Sequence, residues 1–242
     1  MQSSSGPTVA VVLPGSGSDA DFVLRAFEPA FAVLDITTIA VEPDPLQVVG
    51  SYLAALDDAA DRHGAIVAAG ISIGAAVALE WAARRPAAAA AVLATMPAWT
   101  GAPDTAPAAH SARFTAQRLR ADGLDAVTEQ MRASSPPWLA EALARSWAQH
   151  WPHLARALDE AADYTAPDAP QLARIDTPVG VVGVVDDAVH PFEVAWQWAA
   201  LLPNAALAKV TLDEVGADPA TLGRAGIAAL TELGWSHLGP SD

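Results

Sequence analysis

The chain has 242 residues, 52% of them hydrophobic, and a formal net charge of −15. This balance argues against binding to nucleic acids or anionic membranes, which needs clustered Lys and Arg, and no apolar run approaches the roughly 18 residues of a membrane span. Because cysteine is absent and the opening MQSSSGP lacks the basic and apolar parts of a secretory signal, we expect a cytosolic globular protein with one large core.

The first half of the chain predicts four strands separated by helices. The strands are short apolar runs that end at turn signals, at residues 8–13, 36–41, 65–69 and 91–96. Asp19 is expected to cap the first helix and Pro29 to interrupt it, while His63-Gly64 closes the second. The alanine-rich residues 74–85 predict a third helix, which stops before a proline.

The second half of the chain changes in character at about residue 100. Residues 100–170 contain no strand-like run, and helical patches are predicted at 111–120, 124–132, 138–149 and 153–163. Strand patterns return at 178–185 and 206–212 and are followed by helices, at 191–202 and after the capping pair Asp218-Pro219.

Strands that alternate with helices, and that are apolar enough to be covered on both faces, indicate an α/β fold. We expect a mostly parallel sheet with helices on both faces, formed by residues 1–99 and 171–242. Residues 100–170 would form a helical cap inserted into this core.

Ligands bind such folds at the carboxyl ends of the strands, and the first candidate turn there is PGSGSDA, residues 14–20. Its glycine spacing matches a dinucleotide-binding turn, in which a pyrophosphate approaches a helix N-terminus. The acidic residue that would hold a ribose should follow about 20 residues on, and Glu42 comes later than that, in the proline-rich EPDP. A glycine-rich turn without a nucleotide explains the same residues.

The second candidate is GISIG, residues 70–74, which matches the G-x-S-x-G pattern of a nucleophile elbow. A strand leads into it and a helix follows, so Ser72 would stand clear of the sheet where the helix dipole favours a developing anion. The alternative is a serine that only caps the helix. The flanking strand and helix favour the nucleophile.

The third candidate is VVGVVDDAVHP, residues 181–191, a strand that runs into two aspartates. A carboxylate at the end of the strand after a cap could orient a catalytic imidazole. A solvated acidic turn is the alternative.

Together these motifs resemble the α/β-hydrolase family over nearly the whole chain, in a version without the family's two leading strands. The resemblance implies that Ser72 is the nucleophile and that the backbone N–H groups of Ser16 and Ile73 form the oxyanion hole. It also implies an acid on the third turn. Asp187 is preferred because similar hydrolases often have a proline four residues after the acid, as Pro191 is here, although counting from Gly183 also permits Asp186.

The general base is the point at which the sequence departs from this family. The resemblance predicts a histidine in the loop after the last strand, where Ala217 stands instead. His190 lies close to Asp187 on the acid loop and is the candidate substitute. However, residues so near one another seldom bridge acid and serine, so packing of the loop is the favoured role for His190.

The remaining histidines are weaker candidates. Three lie in the predicted cap and two near the opposite end of the sheet: His110, His150, His153, His63 and His237.

Several tryptophans lie in or beside the predicted cap, and they could line an apolar acyl pocket or only pack the cap against the sheet: Trp99, Trp138, Trp147 and Trp151.

We therefore expect a serine hydrolase that acts on a small carboxylic ester or related acyl substrate, without a metal or another cofactor. The alternative is a catalytically silent relative that binds a small apolar ligand or a partner through the cap pocket. It is favoured by Ala217, whether that alanine is natural or introduced. The sequence does not determine the oligomeric state.

Overall fold

The computed structural model describes residues 7–236, which form six strands and ten helices. In chain order these are β1 (Val9–Leu13), α1 (Ala20–Ala32), β2 (Thr37–Ala40), α2 (Val48–His63), β3 (Ile66–Ile71), α3 (Ile73–Arg84), β4 (Ala89–Thr95), α4 (Pro107–Ser134), α5 (Pro137–His150), α6 (Leu154–Asp163), α7 (Ala169–Leu172), β5 (Val179–Val184), α8 (Phe192–Leu201), β6 (Ala205–Val210), α9 (Leu212–Ala217) and α10 (Thr221–Glu232).

The six strands form one parallel sheet in the order β2-β1-β3-β4-β5-β6. Strands β1, β3 and β5 are buried along their whole length, whereas the edge strands β2 and β6 are partly exposed. Burial on both faces explains why the inner strands are continuous apolar runs instead of alternating ones. All six predicted strands are confirmed.

Helices cover both faces of this sheet, as predicted. On one face, α2, α3 and α8 contribute large buried side chains such as Tyr52, Trp81 and Trp198. On the other face, α1 and α10 contribute Phe27 and Leu230, among others. The α/β fold class is therefore confirmed.

Four helices, α4 to α7, lie between β4 and β5 in the chain, and we call the segment that contains them, residues 100–172, the helical insert. A break at Gly123, where φ is +80°, divides α4 into two helical pieces. The division of the chain into a core and a cap stays a prediction. No helix within residues 7–236 has the length and hydrophobicity needed to cross a membrane.

Three local predictions differ from the structure. Pro29 does not interrupt α1, because it is exposed while its neighbours Ala30 and Phe31 are buried and hold the last turn against the sheet. The last strand ends at Val210, before the predicted end, because Thr211 caps α9. The final helix, α10, begins a few residues after the predicted capping pair.

Candidate active site

Ser72 lies at the sharp turn between the carboxyl end of β3 and the start of α3. Its backbone has φ 58° and ψ −118°, a conformation that L residues rarely adopt. Strain of this kind costs about 1–3 kcal/mol and persists only where the surroundings enforce it. The Ser72 N–H donates to the Thr95 carbonyl at 3.0 Å, which ties the turn to the neighbouring strand.

The two glycines of the GISIG motif make this turn possible. A Cβ on Gly70 would lie 2.3 Å from the backbone carbon of Gly74, and a Cβ on Gly74 would lie 2.4 Å from the Leu13 carbonyl oxygen. Both positions therefore exclude any side chain. Although Ser72 stands at the N-cap position of α3, its side chain makes no capping hydrogen bond. The side chain of Ser72 therefore does not act as a helix cap.

His190 bridges Ser72 and Asp187. Its Nε2 lies 3.0 Å from Ser72 Oγ, and its Nδ1 lies 2.8 Å from Asp187 Oδ2. The nucleophile–base and base–acid contacts of a catalytic triad are thus both present at hydrogen-bond distance. The geometry differs from the expected packing role of His190; the catalytic assignment of these three residues stays a prediction.

A local turn of the chain brings His190 to this position. Asp187 Oδ1 accepts the backbone N–H of Val189 at 2.7 Å and that of His190 at 3.3 Å. These are short-range bonds that aspartate often makes to the backbone just ahead of it. They fold residues 187–190 back on themselves, so that acid and imidazole come from one loop.

The carboxyl group of Asp187 is held in its charged form. Burial on its own raises the pKa of this carboxyl, but hydrogen bonds from the His190 ring and from two backbone N–H groups, together with attraction to the imidazole, outweigh it and lower the pKa below 3.8. An ionised Asp187 is suited to stabilise an imidazolium that forms on His190.

Asp186, the other candidate acid, faces a different partner. Its Oδ1 accepts the backbone N–H of Leu212 at 2.8 Å, which connects the acid loop to the start of α9. Asp187 is therefore the residue that the structure places against the imidazole.

The two predicted oxyanion donors lie beside Ser72. Ile73 is the first residue of α3, where backbone N–H groups have no partner within the helix. Ser16 follows Gly15, whose Cβ position would be only 3.7 Å from Ser72 Cβ, and Ser16 lines the same cavity as Ser72. Their role in binding an oxyanion stays a prediction.

Several solved structures share this architecture. The chain matches a candidate non-heme bromoperoxidase, BpoC, from Mycobacterium tuberculosis H37Rv. The match covers 94% of each chain, with a TM-score of 0.69 and 18% identity. It matches olei00960, a hydrolase from Oleispira antarctica, over 94% of this chain and 89% of that one, with a TM-score of 0.70 and 14% identity. A third match is MGS-M2, an alpha/beta hydrolase enzyme from a Medee basin deep-sea metagenome library, with a TM-score of 0.63 and 16% identity over 87% and 83% of the chains.

The chain has an α/β-hydrolase fold. At these identities the similarity shows the fold alone. Neither a scan against protein-family models nor a search of curated proteins finds a match to the sequence.

The position after the last strand, where the resemblance to α/β-hydrolases predicts a histidine, is helical in this chain. Thr211 and Glu214 form a capping box that begins α9, and Ala217 is the last residue of that helix. Leu212 and Val215 line the cavity above Ser72, whereas Ala217 is not among its lining residues. The imidazole near Ser72 comes instead from the loop after β5.

The other histidines within residues 7–236 do not line this cavity. His150 is buried and contacts Glu42 at 2.8 Å, and His110 contacts the Asp104 carbonyl at 2.7 Å. His63 ends α2, His153 precedes α6, and His237 lies outside the described residues. Among the residues that the structure describes, no group of three or more His, Asp or Glu is placed to hold a metal ion.

A mainly apolar cavity of about 680 Å³ lies above Ser72, between the sheet and the helical insert. Trp138 and Trp147 line it, as the sequence suggested for an acyl pocket. Trp99 is elsewhere, where its indole N–H donates to the Tyr164 carbonyl, and Trp151 is 41% exposed. The cavity gives a small apolar group room to lie beside the Ser72 hydroxyl.

Proposed function

We propose that this chain is a serine hydrolase that acts on a small carboxylic ester or a related acyl compound. The observation that carries the proposal is the position of the His190 ring, 3.0 Å from Ser72 Oγ and 2.8 Å from Asp187 Oδ2. The cavity of about 680 Å³ supports a substrate of modest size with an apolar portion.

In the first half of the proposed reaction, Ser72 Oγ bonds to the carbonyl carbon while His190 Nε2 takes the hydroxyl proton. The oxyanion that forms is held by the N–H groups of Ser16 and Ile73. The carbon–oxygen bond to the alcohol then breaks, and the imidazolium, stabilised by Asp187, protonates the leaving oxygen. The product is an acyl ester on Ser72.

In the second half, a water molecule attacks the acyl carbon while His190 Nε2 takes a proton from it. The bond to Ser72 Oγ breaks, and the proton returns to that oxygen. The carboxylic acid leaves and the free hydroxyl is restored.

The catalytically silent alternative depended on the lack of a histidine at position 217. Because His190 Nε2 lies 3.0 Å from Ser72 Oγ, the proposed reaction has a base without a histidine at position 217, which supports the hydrolase over that alternative.

A fluorophosphonate probe with intact-mass detection tests the proposal, because such probes bond to activated serines. We expect one probe per folded chain, no labelling in Ser72→Ala, and much slower labelling in His190→Ala. Thr95→Ser, which keeps the hydroxyl that bonds the Gly70 carbonyl, serves as a matched control and should label as the parent protein does. If the folded parent protein takes up no probe over hours, the proposal is wrong.

A further inference from the structure

The cavity above Ser72 contains one fixed positive charge in an otherwise mostly apolar wall. Within the described chain, Arg118 is the only Lys or Arg among the residues that line it. Arg118 lies on the first piece of α4, on the same helical face as Ser111 and Thr115, which line the cavity as well. The acidic residue of the lining, Asp187, is already paired with His190. The charge of Arg118 therefore has no counterpart in the cavity wall.

The guanidinium of Arg118 uses only part of its hydrogen-bonding edge. Its Nη2 lies 2.9 Å from Asp122 Oδ2, whereas its Nε is buried and has no hydrogen-bond partner. A buried donor without a partner costs free energy, and native proteins contain few of them. A carboxylate bound along the Nε edge of the guanidinium would supply the missing acceptor.

Arg145 in the same protein shows the contact in which both Nε and Nη2 have a hydrogen-bond acceptor. Its Nε and Nη2 both donate to the Asp19 carboxylate, each at 2.9 Å. This two-pronged geometry matches the two oxygens of a carboxylate and is the strong form of the contact. In Arg118 the same two atoms are available as donors, and Nε has no hydrogen-bond partner.

The present partner of Arg118 is one that a ligand can replace. Asp122 lies one turn further along α4, next to the break at Gly123, and the Arg118 and Asp122 side chains are 39% and 33% exposed. Partly exposed pairs at this helical spacing contribute little to stability. A carboxylate that binds from the apolar cavity would meet less competition from water and could accept hydrogen bonds from both Nε and Nη2 of Arg118.

A second residue of the cavity lining, Trp147, also carries an unpartnered donor. The indole N–H of Trp147 is buried without a hydrogen-bond partner, and the whole side chain is only 6% exposed. Trp147 belongs to α5, so the two donors come from different helices of the insert. Among the described residues, Arg118 and Trp147 are thus the two cavity-lining residues that carry a buried side-chain donor without a partner.

We propose that the acyl part of the substrate ends in a carboxylate, and that Arg118, with Trp147 as a second donor, binds this group. This inference rests on the proposed hydrolase function, because it names the class of ester: half-esters of dicarboxylic acids. Arg118 acts on specificity and takes no part in the proton transfers at Ser72.

The kinetic test compares esters that differ only at the far end of the acyl chain. The mono-p-nitrophenyl esters of adipic and suberic acid carry a carboxylate where p-nitrophenyl hexanoate and octanoate carry a methyl group. We expect kcat/KM to favour the carboxylate esters in the parent protein, and Arg118→Gln to reduce that preference about ten- to a hundredfold, mainly through KM. Hydrolysis of the neutral esters should change much less, so that the ratio of the two kcat/KM values reports the loss of the carboxylate contact.

Three variants sharpen this test. Arg118→Lys keeps the positive charge but loses the planar guanidinium, and it should retain part of the preference that Arg118→Gln loses. Trp147→Phe removes the indole N–H and should weaken binding of the carboxylate esters more than that of the neutral esters. Arg120→Gln removes an arginine that pairs with Asp159, is absent from the cavity lining, and should keep the full preference. If Arg118→Gln hydrolyses both ester classes in the parent ratio, the inference is wrong while the hydrolase function stands.

A binding measurement separates failure of this inference from failure of the proposed function. In Ser72→Ala, which cannot form an acyl-enzyme, titration calorimetry should detect saturable binding of monomethyl adipate. The binding should be lost when Arg118→Gln is added. Absence of binding to Ser72→Ala overturns the carboxylate site, whatever the fluorophosphonate probe shows at Ser72.

Discussion

The two adjacent aspartates of the acid loop differ only in the atoms that they contact, which makes them a matched pair. Asp187 holds the His190 ring, whereas Asp186 holds the backbone N–H of Leu212. We expect Asp187→Asn to lower kcat about 10³- to 10⁴-fold, because an amide neither fixes the imidazole tautomer nor stabilises an imidazolium. Ester hydrolysis by the two Asn variants measures this, and Asp186→Asn should remain close to the parent rate. Equal losses in both variants would contradict the assignment of the acid.

The sequence predicted Ser72 and Asp187 as site residues but not how the base reaches them. A nucleophile elbow is a local pattern, because Gly70 and Gly74 are required by contacts within the turn itself. The position of His190 depends on two backbone N–H groups that donate to Asp187 Oδ1 and fold the loop back on itself. The only sequence signal was an aspartate three residues before a histidine. Hydrogen bonds from an aspartate to the backbone just after it make a turn plausible there, but they do not predict that the histidine ring reaches Ser72.

At the scale of elements, the passage from β3 to α3 depends on close backbone contact with β1. A methyl group on Gly74 would lie 2.4 Å from the Leu13 carbonyl oxygen. We expect Gly74→Ala to lower the free energy of unfolding by about 3 kcal/mol or more, because backbone atoms must move to admit it.

A second glycine provides the control for Gly74→Ala. A Cβ on Gly50, inside α2, meets nothing closer than 3.6 Å. Gly50→Ala should therefore raise stability by about 0.5–1 kcal/mol. Urea denaturation of both variants checks the pair, and similar losses in the two would show that close packing at Gly74 is not the cause.

Helix α5 is joined to the sheet layer through Asp19. This buried carboxylate accepts the Phe22 N–H, which begins α1, and both prongs of Arg145. Burial alone raises the pKa of Asp19, but these bonds and the charges of Arg145 and His150 outweigh it, so the pKa lies below 3.8. A carboxyl with a lowered pKa in the folded state stabilises the fold above its usual pKa, and that contribution is lost as the pH falls through the folded value.

We therefore expect Asp19→Asn to be less stable than the parent protein at about pH 6, and this difference to shrink towards about pH 3. Urea midpoints measured across that range test the sign. Asp21→Asn is the control, because Asp21 is 54% exposed and exposed ion pairs contribute little. A difference between Asp19→Asn and the parent protein that grows on acidification would be incompatible with this role of Asp19.

The elements themselves were predictable to different degrees. The buried strands were recognised because burial on both faces leaves an uninterrupted apolar run. Helix α9 was missed, although Thr211 and Glu214 carry the spacing of a capping box. The helix is only six residues long, Leu212–Ala217, which is too short to show a helical period of apolar residues.

At the scale of the whole molecule, the helical insert is held to the sheet layer by contacts spread over its helices. Trp138 stacks on Phe22 with ring centroids 6.3 Å apart. Glu160 of α6 accepts the first two N–H groups of α2, from Val48 and Val49, both at 3.0 Å. By contrast, the apolar cluster that belongs to the insert alone is small: Ala116, Leu119, Val127, Trp147, Leu154, Ala155 and Leu158. So small a cluster is poorly able to offset the chain entropy of four helices on its own.

We therefore expect the insert and the sheet to unfold together. Far-UV and near-UV circular dichroism should give coincident urea transitions, because loss of the shared contacts removes the support of both parts at once. Glu160→Gln weakens the bonds to the α2 N-terminus by removing a charge that favours the helix dipole. It should shift both transitions to lower urea by the same amount, and Glu129→Gln, on an exposed position of α4, should shift neither. An insert that folds independently would instead give two separated transitions, and Glu160→Gln would move only one of them.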